Sequence, residues 1–409
     1  LIQFRIGINV GDIIVDGDDI YGDGVNVASR IEGLADPGGV YISRAAFDQV
    51  RDKVPIEIET RGEQTVKNIA RPIEVFCILM EPGEPAAPAQ HPALPEKPSV
   101  AVLAFDNMSG DAEQEYFSDG ISEDIITDLS KVSELHVIAR NSTFVYKNAD
   151  AVSIPEVARE LGVRYVLEGS VRKAGNRVRV TAQLIDATNG GHVWADRFDR
   201  DLTDIFAVQD ELTREIVSAL KVKLTADEKQ RLAHKRTINL DAYNLFLRGR
   251  EQAWQHKKSG NIDARRLLAS AVAIEPDYAA AHALTAFTHA VDYINGWSDD
   301  PQGSLREGLE IAERAVEMDA EEPEAYFALT IASLWSHDLD RALAAATRCR
   351  ELTPGSAQGH IALAHPQIFN GEPAAAIENI ETSMRLDPHY PDILLHFLAE
   401  AHISLGQHE

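Results

Sequence analysis

Cysteine is scarce in this 409-residue chain: there are two, Cys77 and Cys349, far apart and without metal-type spacing. That excludes a disulfide framework and fits a reducing compartment. Long apolar runs are missing too. None reaches the roughly 18 residues that span a bilayer, and no signal-peptide pattern is visible, so no membrane segment is expected in this stretch. Basic residues are outnumbered: 39 Lys and Arg stand against 65 Asp and Glu, a net charge of −26. Such a surface repels phosphate backbones and anionic lipid, so nucleic acid and membrane surfaces are poor partners and no nucleic acid is expected. Any polyphosphate has to be held by a local basic site and by metal ions. The fourteen histidines include no pair four residues apart and no Cys/His cluster, so there is no zinc site to expect.

What is present is ordinary globular composition, 44% hydrophobic and 25% charged. The length predicts two to four domains. Residue 1 is Leu, and Leu1-Ile-Gln-Phe-Arg-Ile-Gly reads as a strand in progress, so the chain is expected to begin inside a domain. Residues 81–98 hold six of the eighteen prolines with no helical or strand period, and predict a stiff linker. It separates residues 1–80 from the rest.

Residues 99–225 predict one α/β domain. Ser99-Val-Ala-Val-Leu-Ala-Phe105 is a buried strand by its apolar run. Ile121, Ile125 and Leu129 mark a helix, and residues 135–139 a second strand. Ser153-Ile-Pro-Glu opens a helix with a cap and an early Pro. A hairpin follows over 165–186, turning at Ala174-Gly175-Asn176, and a helix over about 204–225 closes the unit. The order predicts a mixed sheet with helices on one side.

Residues 241–409 are helical and repetitive. Segments starting at Glu275, Asp319, Thr353 and Asp387 align, and three of the four have Pro next. Ala281, Ala325 and Gly359 share one position; Leu329, Leu363 and Phe397 share another. The last two gaps are 34 residues each; the first is 44, with the extra ten expected in a loop around residues 295–301. A 34-residue period with a helix-opening Pro is the tetratricopeptide pattern: paired helices stacked into a superhelix with a concave face for a protein or peptide partner.

The densest signal lies near the N-terminus: Arg5-Ile-Gly-Ile-Asn-Val-Gly-Asp12, then Asp19-Ile-Tyr-Gly-Asp-Gly-Val-Asn26-Val-Ala-Ser-Arg30. The alternation at Ile6, Ile8 and Val10, followed by Ile13, Ile14 and Val15, reads as a hairpin. Val25 to Leu34 reads as a helix. Asn26 and Arg30 are four apart and share a face, an amide below a permanent cation. Such a pair can hold a ribose and a phosphate together. Taken alone, however, it fits a solvated helix face better. Gly22-Asp-Gly24 lacks the third glycine of a dinucleotide-binding turn, so that reading is rejected. Asp12, Asp16, Asp18 and Asp23 read as solvated turn residues.

This run resembles the class III adenylate and guanylate cyclases, and the resemblance extends through Pro37-Gly-Gly-Val-Tyr-Ile-Ser43 and Arg61-Gly-Glu-Gln-Thr-Val-Lys67-Asn-Ile-Ala-Arg-Pro. It implies that residues 1–80 are the C-terminal half of a ferredoxin-like α/β catalytic domain. It implies adenine recognition by Asp19, ribose orientation by Asn26, transition-state stabilisation by Arg30 and a grip on the triphosphate by Lys67. It further implies ATP as substrate, conversion to cyclic AMP and pyrophosphate, two Mg or Mn ions, and a homodimer with composite sites. The metal aspartates are expected upstream of this stretch, with none here, so the fragment alone is expected to be inactive. Asp19 argues against a guanylate cyclase.

Residues 98–225 resemble TolB-like N-terminal domains through Pro98-Ser-Val-Ala-Val-Leu-Ala-Phe105, Tyr116-Phe-Ser-Asp-Gly-Ile-Ser-Glu-Asp-Ile126, Tyr165-Val-Leu-Glu-Gly-Ser-Val171 and Trp194-Ala-Asp-Arg-Phe-Asp199. No nucleophile–base constellation is found there; Ser118, Asp119 and His136 fit core or surface roles. The expected fold class is therefore α+β multidomain: a truncated cyclase domain, a mixed α/β domain and an all-α tetratricopeptide solenoid. The expected function is a cytoplasmic adenylate cyclase with a C-terminal interaction array. The alternative is a non-catalytic scaffold or regulator with a degenerate cyclase domain.

Overall fold

The computed structural model describes residues 5–11, 14–16, 19–21, 23–36, 39–51, 57–64, 73–79, 97–111, 114–147, 153–233 and 238–407. They form two compact units, residues 1–90 and 91–409. Mixed α/β structure comes first and a helical array last. No described helix is long and apolar enough to cross a membrane.

The first unit holds a four-stranded sheet ordered β1 (Ile6–Ile8), β4 (Val40–Ser43), β6 (Ile73–Leu79), β5 (Glu57–Gln64). Helices α1 (Asp23–Leu34) and α2 (Arg44–Val50) cover its two faces. Successive strand residues point opposite ways. Accordingly Tyr41, Val75 and Cys77 pack with Ile31 of α1, while Ile42 and Phe76 pack with Ala46 of α2. The expected hairpin from residue 6 to 15 is corrected. β1 pairs in parallel with β4, and the hairpin is β2 (Ile14–Asp16) with β3 (Asp19–Tyr21). The helix α1, which lies between β1 and β4 in the chain, makes the parallel pairing possible, because parallel strands need a crossover.

In the second unit, the sheet runs β12 (Gly191–Asp201), β11 (Arg177–Asp186), β10 (Tyr165–Ala174), β7 (Ser99–Val102), β9 (His136–Val137), with β8 (Asp106–Asn107) also on β10. The β10–β11 hairpin turns where expected, with Gly175 at φ +58°. Strand β12 was not foreseen: only Phe198 of its residues is buried, so an edge strand with charged neighbours shows no clear period. The expectation of helices on one side is also corrected. Val100 and Val102 of β7 face α3 (Glu115–Ser130) and α6 (Ile205–Ala219), but Ala101 and Val166 face α5 (Ile154–Leu161) on the other side. α4 (Arg140–Phe144) follows β9, and α7 (Ala226–Ala233) follows α6.

The helical array then runs as antiparallel pairs: α8 (Leu240–Ala253) with α9 (Lys258–Ile274), α10 (Ala279–Ile294) with α11 (Pro301–Met318), α12 (Pro323–Trp335) with α13 (Leu339–Leu352), and α14 (Ala357–Phe369) with α15 (Pro373–Leu386), ending on α16 (Ile393–Ser404). Alanines such as Ala286, Ala312, Ala328 and Ala346 are buried at the crossings, which lets the helices approach closely. The ten extra residues of the first period do not form one long loop. α10 is 16 residues against 13 for α12, and α11 is 18 against 14 for α13, so only three of the ten lengthen the connection.

The sheet and the array share one hydrophobic core. Ile121, Ile125 and Leu129 of α3 join Val208 and Leu212 of α6 and Tyr243 and Leu247 of α8. Inside it, Asp124 accepts from Tyr243 Oη at 2.5 Å, from Gln209 Nε2 at 2.9 Å and from Arg250 Nη1 at 3.2 Å. Burial and the adjacent Asp124 charge push the Tyr243 hydroxyl well above its ordinary range, so it stays a donor. The repeat turns dock on the sheet's β9 edge. Gly355 N donates to Ser130 O at 2.9 Å, Val137 N to Gly355 O at 3.3 Å, and Ala139 N to Leu386 O at 2.8 Å.

Candidate active site

Helix α1 carries the two positions that the sequence singles out for ribose and phosphate. Asn26 and Arg30 are both within it, one turn apart. Arg30 is exposed and has no ion-pair partner among the described residues, so its charge is available to a ligand. Asp19 opens β3, the strand that precedes α1 in the chain. Asp19, Asn26 and Arg30 therefore fall on one strand and the helix next to it. Lys67 lies outside the described residues.

Two residues that the motif reading passed over fix α1 in place. A Cβ on Gly7 of β1 would overlap the carbonyl oxygen of Ala28 and the amide of Glu32. Glycine lets the helix backbone rest directly on the strand. Asn9 Nδ2 then donates to Gly24 O at 3.1 Å, tying the end of β1 to the first turn of α1. The signal was a Gly inside a strand pattern, which marks close backbone approach.

On the neighbouring strands, Tyr41 donates its hydroxyl to Asp36 Oδ2 at 3.0 Å and lies under the Arg61 guanidinium. Burial, followed by that hydrogen bond, raises the Tyr41 pKa, so the phenol stays protonated. Arg44 is engaged by Asp48 at 3.0 Å and by Glu74 at 3.1 Å, and this pairing raises its pKa. It is thus a structural cation, in contrast to Arg30. Among the described residues no group of three or more His, Cys, Asp or Glu side chains is placed to hold a metal ion. The described residues do not supply the donor set that two Mg or Mn ions need.

Residues 1–80 match the family of the adenylate and guanylate cyclase catalytic domain, and residues 96–218 match the HilA/YgeH-like transcriptional regulator second domain. The chain is 50% identical over 346 residues to "Putative adenylate cyclase 3" of Rhizobium meliloti strain 1021, covering 83% of this chain and 59% of that protein. It therefore spans about three fifths of that relative's length. A solved adenylate/guanylate cyclase/hydrolase from Silicibacter pomeroyi is 43% identical, over 19% of this chain and 47% of that one, with a TM-score of 0.19. A solved thermophilic tetratricopeptide protein of Thermus thermophilus is 15% identical over 48% of this chain and 93% of its own, with a TM-score of 0.34. Residues 1–80 are thus similar to the adenylate and guanylate cyclase catalytic domain, and the chain to a putative adenylate cyclase.

Proposed function

We propose that the intact parent protein is an adenylate cyclase that converts ATP to cyclic AMP and pyrophosphate. The observation that carries this is Arg30, an exposed guanidinium with no ion-pair partner among the described residues, on the helix that also bears Asn26, inside a segment matching the cyclase catalytic domain. Arg30 neutralises the equatorial oxygens of the α-phosphorus as the ribose 3′ oxygen attacks in line. Its value is greatest in the transition state, where charge spreads over those oxygens. Asn26 hydrogen-bonds the ribose and fixes the angle of attack. Asp19 accepts from the exocyclic amine of adenine, which guanine replaces with a carbonyl. Lys67 holds the triphosphate and eases departure of pyrophosphate. Two Mg or Mn ions would need aspartates other than those among the described residues to hold them, and would supply charge neutralisation at the triphosphate; a second copy of the chain completes each site. The fragment without those aspartates is inactive.

The protein works in the cytoplasm, where ATP is available, and its array binds a protein or peptide partner. The middle domain, TolB-like in its motifs, joins the two. A second reading rests on the match of residues 96–218 to a transcriptional-regulator domain: a signalling scaffold that keeps the cyclase fold for dimerisation. Cyclic AMP formation by the intact parent, with Arg30 replaced as control, separates the two readings. A scaffold makes none in either form.

A further inference from the structure

A cavity of about 390 Å³ lies within the second unit, between α3, α8 and the start of the α10 and α12 repeats. Its size is that of a small-molecule site, and junctions between folded parts are where such sites form. Its aromatic wall includes Phe246, Trp254 and Tyr278. Its charged lining is almost wholly acidic, with Arg250 the one basic side chain among the described residues.

Arg250 is already spent. It pairs with Glu123 at 2.8 Å and with Asp124 at 3.2 Å, and it lies over the Phe246 ring at 5.2 Å. Other carboxylates of the lining have no cation paired with them among the described residues. Glu322 is 6% exposed; one oxygen accepts a long 3.3 Å bond from the Glu324 amide, and the other has no partner among the described residues. Glu324 accepts from the neutral Gln358 amide at 2.9 Å. Asp277 stands exposed in the same lining. A buried carboxylate without a positive partner is costly, and a cation placed there recovers that cost. Aromatic faces beside carboxylates favour an organic cation over a bare metal ion. Consistently, no group of three carboxylates among the described residues is placed to hold a metal.

We propose that this cavity binds a small organic cation, a ligand with an ammonium or guanidinium group on a short apolar stem. The head group sits between Glu322 and Glu324, and the stem lies along Trp254 and Tyr278. Bound there, it bridges the α/β sheet to the first repeats. Glu324 supplies an independent readout. Burial, with Glu322 nearby, pushes its carboxyl up to about 7. The hydrogen bond from Gln358 of α14 and, more weakly, the charge of Arg250 of α8 only partly offset the burial, while Glu123 of α3 adds to it; the thiol of Cys349 of α13 also lies nearby. A bound cation lowers that pKa, so binding near pH 6.5 expels a proton.

The test is titration calorimetry of the 409-residue chain with putrescine, spermidine, agmatine and arginine, and with glutamate as an anionic control. At least one cation is expected to bind saturably, with heats at pH 6.5 that vary with the buffer's ionisation enthalpy. Glu322→Gln with Glu324→Gln should weaken binding about tenfold or more, as loss of charge-assisted bonds implies. Asp277→Asn, at an exposed position that does not endanger folding, should weaken it by about threefold. Absence of saturable binding by every cation overturns the proposal, as does equal binding by the variants. Binding of a lysine- or arginine-bearing peptide with no binding of the free cations overturns it in favour of a protein ligand.

Discussion

Ser142 donates its hydroxyl to Asp387 Oδ1 at 2.5 Å, across 245 residues of chain. Ser142 lies in α4, beside the sheet's β9 edge, and Asp387 opens the last repeat turn. Asn141 Nδ2 adds a bond to Asp387 Oδ2 at 3.4 Å, and His389 N donates to Ser142 Oγ at 2.8 Å. The array is therefore held at its far end as well as at α8. Asp387→Ala should destabilise the second unit by about 2 kcal/mol, the usual worth of bonds to a buried charge. Urea unfolding measures this, and hydrogen exchange should quicken first around residues 386–390. An unchanged midpoint would show that the far end is not anchored.

Cutting the chain after residue 233 removes Tyr243, Phe246 and Leu247 from the shared core and leaves Asp124 buried without Tyr243 or Arg250. Losing one partner of a buried ion pair costs about 3–5 kcal/mol. Residues 91–233 alone should therefore bind a hydrophobic dye and lose near-ultraviolet dichroism, whereas 91–409 should not. A cooperative, dye-free unfolding transition for 91–233 would refute the shared core. Deleting the array therefore unsettles residues 91–233 as well as removing the repeats.

Gly7→Ala places a methyl group against the backbone of Ala28 and Glu32, where no flexible side chain can give way. Overpacking of this kind costs about 1–3 kcal/mol. The melting transition of the first unit should fall by several degrees while that of the second stays put. Equal transitions would mean that α1 does not rest on β1.

Burial, with Arg350 nearby, holds the His360 pKa down to about 4 from its ordinary 6.5. Between those values the unfolded chain binds more protons than the folded one. Stability is therefore full above pH 6.5 and lost as pH falls toward 4. Glu324, pushed up to about 7, acts with opposite sign, its contribution falling as pH rises from 4.5 to 7. Comparison of variants separates them. His360→Gln, which can still reach Asn379, should flatten the loss of stability between pH 6.5 and 4. An unaltered slope would remove His360 from the account.

Local chemistry was what the sequence disclosed best. Ser153 and Glu156 form the reciprocal cap of α5, and Gly175-Asn176 makes the tight turn of the hairpin, both readable from neighbours in the chain. The 34-residue period located the inter-repeat turns. Contacts distant in sequence were not readable. Nothing near Gly355 announces that a Cβ there would come within 2.5 Å of Leu135 O, or that its turn caps β9. At the candidate site, the four-residue spacing of Asn26 and Arg30 was visible, but the role of Gly7 depends on a helix that crosses it sixteen or more residues later. The cavity beside Trp254 was hidden for the same reason: its walls come from α3, α8 and two repeats.

Arg30 is proposed to stabilise the transition state of cyclic AMP formation. Turnover of ATP to cyclic AMP should be measured for the intact parent protein and for its Arg30→Ala variant at saturating ATP. A loss of about 10²–10³ in kcat is expected, the effect of removing one preorganised transition-state donor, with KM changed far less. A variant that turns over ATP at the parent's rate, or a parent that makes no cyclic AMP at all, would contradict it.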